Sequence, residues 1–246
     1  MDKMNTNNIL IIIPAYNEQD NILHTYNELI KYKQKNLLNF DILVINDGSN
    51  DKTQEILNTN NIPNLNLCRN LGIGNSVQTG YKYAHKHNYD IAVQFDGDGQ
   101  HDVAYMPNII EPIINKEANY VIGSRFIDKT TSKFKSSLAR QTGIKILSWL
   151  LKVLTGIKLF DITSGFRAVD KNIIKIFSTN YPSEYPEPIA PIKVIKAKYK
   201  IIEVPVNMNE RTGGKSSINK FKSIYYMLNV TLAMILETLG GWKHEY

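Results

Sequence analysis

Cysteine is nearly absent from this 246-residue chain, Cys68 being the only one. Neither an intramolecular disulfide nor a cysteine-based metal cluster is therefore available, and a reducing compartment is expected. A lone cysteine of this kind reads as a small buried apolar residue. Long hydrophobic runs are missing as well. Near the N-terminus only Ile9 to Ile13 are unbroken before Pro14, too short for a signal-peptide core or a membrane span. Tyr225 to Leu236 is interrupted by Asn229 and Thr231 and falls short of the roughly 20 residues a spanning helix needs. These lacks predict a cytosolic or peripheral protein. With 14 glycines, 9 prolines, 43% hydrophobic and 21% charged residues, the composition excludes a collagen-like or intrinsically disordered chain.

Charge is present but modest, with 29 Lys and Arg against 23 Asp and Glu, a net charge of +6. Its distribution carries more than its sum. Lys129, Lys133, Lys135, Arg140, Lys145, Lys152 and Lys158 fall in one stretch beside a single acid, Asp128, and Arg211, Lys215, Lys220 and Lys222 fall in another. In the first, Leu138, Ile144, Leu147, Trp149, Leu150, Leu151 and Leu154 recur near helical spacing, the pattern of a basic amphipathic helix. The second runs into a similar helix. Two readings stand: solvated helices packed on their own domain, or contact with an anionic membrane surface. No arginine-rich run, zinc-finger spacing or RNP-like aromatic pattern is present, which argues against a nucleic-acid partner.

Short apolar runs alternate with helical patterns through the first half. Strands are predicted at 8–13, 41–45, 64–68 and 90–95, with helices at about 20–35, 52–59 and 74–87. Such alternation predicts a parallel sheet covered on both faces, with ligand beyond the carboxyl ends of its strands. Polar motifs fall at those ends. The second half is less regular: a strand at 120–122, the basic helix near 135–155, a loop DITSGFR at 161–167, a helix near 170–178, the proline-punctuated YPSEYPEP at 181–188, and a strand at 200–204. No flexible linker separates the halves.

The strongest motif is Asp96-Gly97-Asp98-Gly99-Gln100 after the fourth strand. Two carboxylates one residue apart supply hard oxygen ligands for Mg²⁺ or Mn²⁺, with diphosphate oxygens completing the shell, and Gln100 and His101 are near enough to assist. By itself the pair reads equally as an acidic turn. Asp47 sits in a glycine-assisted turn before Ser49 or Asn50 as a helix cap, and a carboxylate there accepts hydrogen bonds from a nucleobase N–H; an ordinary turn with a cap reads the same. Pro14, Tyr16 and Glu18 offer a ring and a carboxylate at the same edge, with Asn17 as a cap. Gly72, Gly74 and Gly80 do not make GxGxxG, because position 77 is Val, which argues against a Rossmann dinucleotide site.

The ordered set PAYNE, NDGSNDKT, RNLGIGNSVQTG, DGDGQHD, GSR, DITSGFR and ERTGGKSS resembles the inverting family-two glycosyltransferases of GT-A fold. Among these it is most similar to the polyprenyl-phosphate glycosyltransferases that include dolichyl-phosphate mannose synthase, over roughly residues 8–220. The resemblance implies an α/β GT-A domain over 1–215, with a mostly parallel central sheet and helices on both faces. Its nucleotide-binding half would cover about 8–102 and its acceptor half about 103–215, with a C-terminal amphipathic helical segment over 216–246. It implies a metal-dependent, inverting transfer of sugar from a UDP- or GDP-sugar to a polyprenyl phosphate, at the cytoplasmic face of the membrane, for cell-surface glycan synthesis. The alternative is a soluble transferase that adds sugar to a glycan hydroxyl.

On this resemblance Pro14, Tyr16, Glu18 and Asp47 hold the nucleoside. Asp96, Gly97 and Asp98 form the metal and diphosphate motif with Gln100 as a third ligand, and Arg125 contacts the donor. Arg211 and Lys215 close over the diphosphate, Asp161 lies near the acceptor as the base if that acceptor is a hydroxyl, and Arg167 holds an acceptor phosphate. Asn46 stands where many relatives have aspartate, a change that alters hydrogen bonding more than metal binding. Ile189 stands where close relatives carry glutamate, leaving Glu187 as the carboxylate of that segment. Many relatives add spanning helices; without them attachment would run through the chain's own surface, a membrane partner subunit or a homo-oligomer.

Overall fold

The computed structural model describes residues 7–36, 39–127, 138–208 and 220–240. Strand β1 (Ile9–Ala15) is buried along its whole length, as a central strand covered on both faces must be. Leu10 and Ile12 point into one core cluster, and Ile9, Ile11 and Ile13 into the other, following the two-residue period of a strand. β2 (Asp41–Asn46) and β4 (Ile91–Gln94) flank it in parallel, and β3 (Asn64–Asn66) lies parallel beyond β2. The helices α1 (Ile22–Asn36), α2 (Thr53–Thr59) and α3 (Ile73–Lys86) supply the crossovers that parallel strands require. The alternation of apolar runs and helical patterns predicts all of these.

The second half contributes α4 (Met106–Ile114), β5 (Tyr120–Ser124), α5 (Leu138–Thr155), β6 (Arg167–Asp170), α6 (Lys171–Thr179), α7 (Pro186–Lys196), β7 (Ile201–Pro205) and α8 (Lys220–Leu239). The seven strands form one sheet in the order β3-β2-β1-β4-β6-β5-β7. Only β6 runs against the rest, antiparallel to both β4 and β5. The sheet is thus mostly parallel, with α1, α2 and α4 on one face and α3, α5, α6, α7 and α8 on the other. At Gly80 a Cβ would run into the Ile12 side chain, so the absence of one lets α3 lie directly on β1.

Three elements differ from the sequence expectation. α4 buries Met106, Ile109, Ile110 and Ile113 at helical spacing, although Pro107 and Pro112 interrupt the pattern. β6 begins at the end of the expected loop. α7 starts inside the proline-punctuated stretch, with Pro186 in its first turn, where a residue lacking an N–H costs nothing. Cys68 is exposed rather than buried, because it follows the short edge strand β3, whose own residues are largely uncovered. α8 joins the core through Val230 and Met234 while exposing Tyr225, Leu228, Leu232 and Leu236 on its other side.

Candidate active site

The carboxyl ends of β1, β2 and β4 open onto a cavity of about 320 Å³, where a parallel sheet of this kind binds ligands. It is lined by Pro14, Ala15, Tyr16, Glu18, Asp47, Asn70, Gly72, Ile73, Ser76, Asp96, Gly97, Asp98 and Glu187. Seven of these, Pro14, Tyr16, Glu18, Asp47, Asp96, Gly97 and Asp98, are residues expected from sequence. The start of α3 and Glu187 were not among the expected site residues. The glycine-rich segment that opens α3 was the signal for the former; nothing in sequence spacing linked Glu187 to Asp96.

The loops after β1 and β2 are laced into one structure. Asn17 N–H donates to Ser49 Oγ at 2.9 Å, Asn50 N–H to Asn17 Oδ1 at 2.9 Å, Glu18 N–H to Thr53 Oγ1 at 2.9 Å and Gln19 N–H to Asp51 Oδ2 at 3.2 Å. Ser49, Asn50 and Asn17 therefore cross-link two loops instead of capping helices, and α2 has no side-chain cap. Asn46, fully buried, donates through Nδ2 to Gln54 Oε1 and Asn66 Oδ1 and accepts from Ser49, a donor role an aspartate could not fill. Asp47 accepts the backbone N–H groups of Leu71 at 2.8 Å and Gly72 at 2.9 Å. Its carboxylate thus pins the loop leading into α3 to the floor of the cavity.

At the end of β4, Asp96 is one-third exposed and Asp98 is buried. His101 Nε2 lies 3.1 Å from Asp96 Oδ2, within ion-pair reach but off the hydrogen-bonding direction. Its ring stacks on Phe166 and meets Phe95 edge-on. Burial pushes the Asp96 carboxyl upward, but His101, the Gln94 amide and the Arg167 guanidinium outweigh it and hold the group below the usual carboxylate range. Gln100 does not line the cavity; its backbone N–H donates to Asp98 Oδ1 at 3.1 Å. At Gly165 a Cβ would collide with the Asp96 carboxylate, so the glycine of DITSGFR lets that loop close on Asp96.

The remaining expected residues are arranged otherwise. Arg125 and Asp161, assigned from the resemblance to donor and acceptor, form a buried ion pair with each other and do not line the cavity. Asp161 Oδ2 accepts from Arg125 Nε at 2.6 Å and from its backbone N–H at 3.1 Å, while Oδ1 accepts from Nη2 at 2.7 Å. Both Asp161 oxygens are thus engaged, and the residue has no exposed surface. Glu203 braces the pair by accepting the N–H groups of Phe160 and Asp161, both at 2.6 Å. Arg167, expected at an acceptor phosphate, opens the central strand β6 and is fully buried. Its guanidinium donates to the carbonyls of Ile162, Ser164 and Glu187 and to the Tyr120 hydroxyl. Arg211 and Lys215 lie outside the described residues.

Five carboxylates, Glu18, Asp47, Asp96, Asp98 and Glu187, line the cavity without an accompanying Lys or Arg among the described residues. Such a lining suits a cation more than a free anion. No group of three or more His, Cys, Asp or Glu is arranged to hold a metal by itself among the described residues. Asp96 and Asp98 are hard oxygen donors of the kind Mg²⁺ or Mn²⁺ takes, and such ions commonly complete their shells with substrate phosphate. The donor set therefore fits a divalent cation that arrives with a phosphorylated ligand.

An α/β sheet with paired carboxylates at the end of β4 and a nucleotide-sized cavity across its strand ends has the GT-A architecture. Residues 10–177 match Glycosyl transferase family 2, and the chain belongs to that family. It is 32% identical to the UDP-N-acetylglucosamine–dolichyl-phosphate N-acetylglucosaminyltransferase of Methanococcus voltae, over 93% of this chain and 98% of the relative. It is 26% identical to the undecaprenyl-phosphate mannosyltransferase of Micrococcus luteus, over 86% of this chain and 87% of the relative. The fold is shared with glucosyl-3-phosphoglycerate synthase of Mycobacterium tuberculosis, solved with Mn²⁺, UDP and phosphoglyceric acid. That likeness has a TM-score of 0.71 at 16% identity and covers 99% of this chain and 82% of the other.

Proposed function

We propose that this glycosyltransferase moves a sugar from a nucleoside-diphosphate sugar to a polyprenyl phosphate, with inversion and with a divalent cation, at a membrane surface. The observation that carries the reading is the cavity in which Asp96 and Asp98 stand at the end of β4, next to the loops after β1 and β2. In this reading the nucleoside lies against Pro14, Tyr16, Glu18 and Asp47, and the diphosphate meets Asp96 and Asp98. Bound Mg²⁺ or Mn²⁺ would offset the charge that develops on the departing diphosphate. By the resemblance, Arg211 and Lys215 are assigned the same task.

An oxygen of the lipid phosphate attacks the anomeric carbon as its bond to the diphosphate breaks, releasing the nucleoside diphosphate. The attacking oxygen is already anionic, so no general base is needed. A hydroxyl acceptor would need one, and the engagement of both Asp161 oxygens with Arg125 speaks against that alternative. A lipid acceptor also calls for a lipid-facing surface. Exposed Trp149 and Val153 on α5, with Leu228, Leu232 and Leu236 on α8, form apolar surface suited to lie in an interface. No helix among the described residues is long and apolar enough to cross a membrane. Tyr226 of α8 packs on Tyr185, next to the first turn of α7, which ties α8 to the helix that carries Glu187.

The test is an assay with labelled UDP- and GDP-sugars and Mn²⁺, offering undecaprenyl or dolichyl phosphate in one arm and free oligosaccharide in the other. Label in the lipid phase is the expected result; transfer to oligosaccharide alone would contradict it.

A further inference from the structure

We propose that Glu187 reads the transferred sugar, accepting hydrogen bonds from its hydroxyl groups in the donor cavity; this rests on the nucleotide-sugar reading above. Glu187 lines the cavity from the first turn of α7, with Asp96 among the charges that act on it. Strand order sets the path of a donor in plain spatial terms: the ends of β2 and β1 and the loops after them carry Asp47, Pro14, Tyr16 and Glu18, the turn after β4 carries Asp96 and Asp98, and β6, whose first residue Arg167 holds the Glu187 carbonyl, comes next. A nucleotide sugar laid along that order brings its sugar, the group beyond the diphosphate, to Glu187.

The chemistry of the position agrees. No side chain among the described residues donates a hydrogen bond to this carboxyl, although burial pushes it above the ordinary glutamate value, an effect that Arg167 partly offsets. A carboxylate disfavours direct contact with a phosphate oxygen that no cation screens. It suits a neutral polyol, whose hydroxyls donate without adding charge.

The backbone that presents Glu187 is held with unusual care. Pro191 lacks the N–H that would otherwise bond the carbonyl four residues back, which is that of Glu187. Arg167 Nη2 fills this vacancy, donating to the Glu187 carbonyl at 2.8 Å. Tyr185, immediately before the helix, adopts a left-handed conformation with φ of 49°, a strained geometry for a non-glycine residue and one that concentrates at functional sites. Arg167 is thus a positioning residue: it fixes the start of α7 from the core while Glu187 faces the ligand.

The experiment uses the full chain, wild type and as Glu187→Gln and Glu187→Asp. A panel of UDP-glucose, UDP-galactose, UDP-N-acetylglucosamine and GDP-mannose identifies the preferred donor, which is then compared with its singly deoxygenated analogues. Wild type should lose about 10- to 100-fold in kcat/KM on one such analogue. Glu187→Gln should lose a comparable factor on the full sugar and little more on that analogue, because both changes remove the same bond. Binding of the free nucleoside diphosphate with Mn²⁺ should stay within about twofold, which also certifies that the variant is folded. Equal losses on every analogue, an unchanged preference, or a loss that follows proton uptake for all donors would overturn the assignment of Glu187 alone. A wild-type chain that binds and turns over none of the donors would overturn the parent reading together with it.

Discussion

The two halves of the sheet use polar residues in opposite ways. Around β1, β2 and β4 the carboxylates gather at an open cavity, held by backbone N–H groups and by neighbouring loops, as Asp47 is held at Leu71 and Gly72. Around β5, β6 and β7 the charges turn inward and pair, as Arg125 does with Asp161 and as Arg167 does with four oxygen acceptors. The first arrangement leaves negative charge for a cationic or cation-bearing ligand. The second fixes the backbone that carries the opposing cavity wall. Family motifs in the two halves look alike in sequence, yet one set lines the cavity and the other pairs inside the core.

Substitutions in the two halves should therefore separate stability from binding. The largest stability effect is expected at Arg125→Ala, which leaves Asp161 charged, buried and unpaired, at a cost of about 3–5 kcal/mol. Urea denaturation measures it directly. The double variant Arg125→Ala/Asp161→Ala should recover part of the loss, and an unchanged midpoint in Arg125→Ala would dissolve the contrast between the halves.

A smaller effect is expected at Glu203. Burial raises its carboxyl above the ordinary glutamate value of 4.5, and the N–H groups of Phe160 and Asp161 offset only part of that. Between the ordinary and the raised value the native state binds more protons than the unfolded chain, so this group's contribution to stability falls as pH rises through the window. Glu203→Gln removes the titration. The stability of the variant relative to wild type should consequently increase with pH across that window, as followed by denaturation at a series of pH values. A difference that stays constant with pH would show that Glu203 titrates as it does in the unfolded chain.

The sequence displays the donor half well because its signals are local. Ile9–Ala15, Asp41–Asn46 and Ile91–Gln94 are apolar runs separated by helical patterns, and parallel topology then puts PAYNE, Asp47 and DGDGQ on one edge. The departures from the sequence expectation have different causes. Ser49, Asn50 and Asn17 have cap chemistry, but their partners lie 32 and 33 residues away, beyond any local rule. Asp161 and Arg125 are 36 residues apart, and nothing in their spacing distinguishes a charge that meets ligand from one that meets its opposite inside the core. Prolines concealed α7, since Pro186, Pro188 and Pro191 resemble a loop until their carbonyl partners are known. Cys68 is exposed because burial at a sheet edge depends on what covers the edge, not on the residue.

The cavity at the ends of β1, β2 and β4 should bind a nucleoside diphosphate together with a divalent cation. Titration calorimetry of UDP and GDP, with and without Mn²⁺, against wild type and Asp98→Ala tests it most directly. Wild type should bind one of the two nucleotides at least about tenfold more tightly with Mn²⁺, a gain of about 1.4 kcal/mol, and Asp98→Ala should lose that gain while unfolding at nearly the same urea concentration. Equal binding with and without the metal, or a metal-dependent gain that survives in Asp98→Ala, would contradict it.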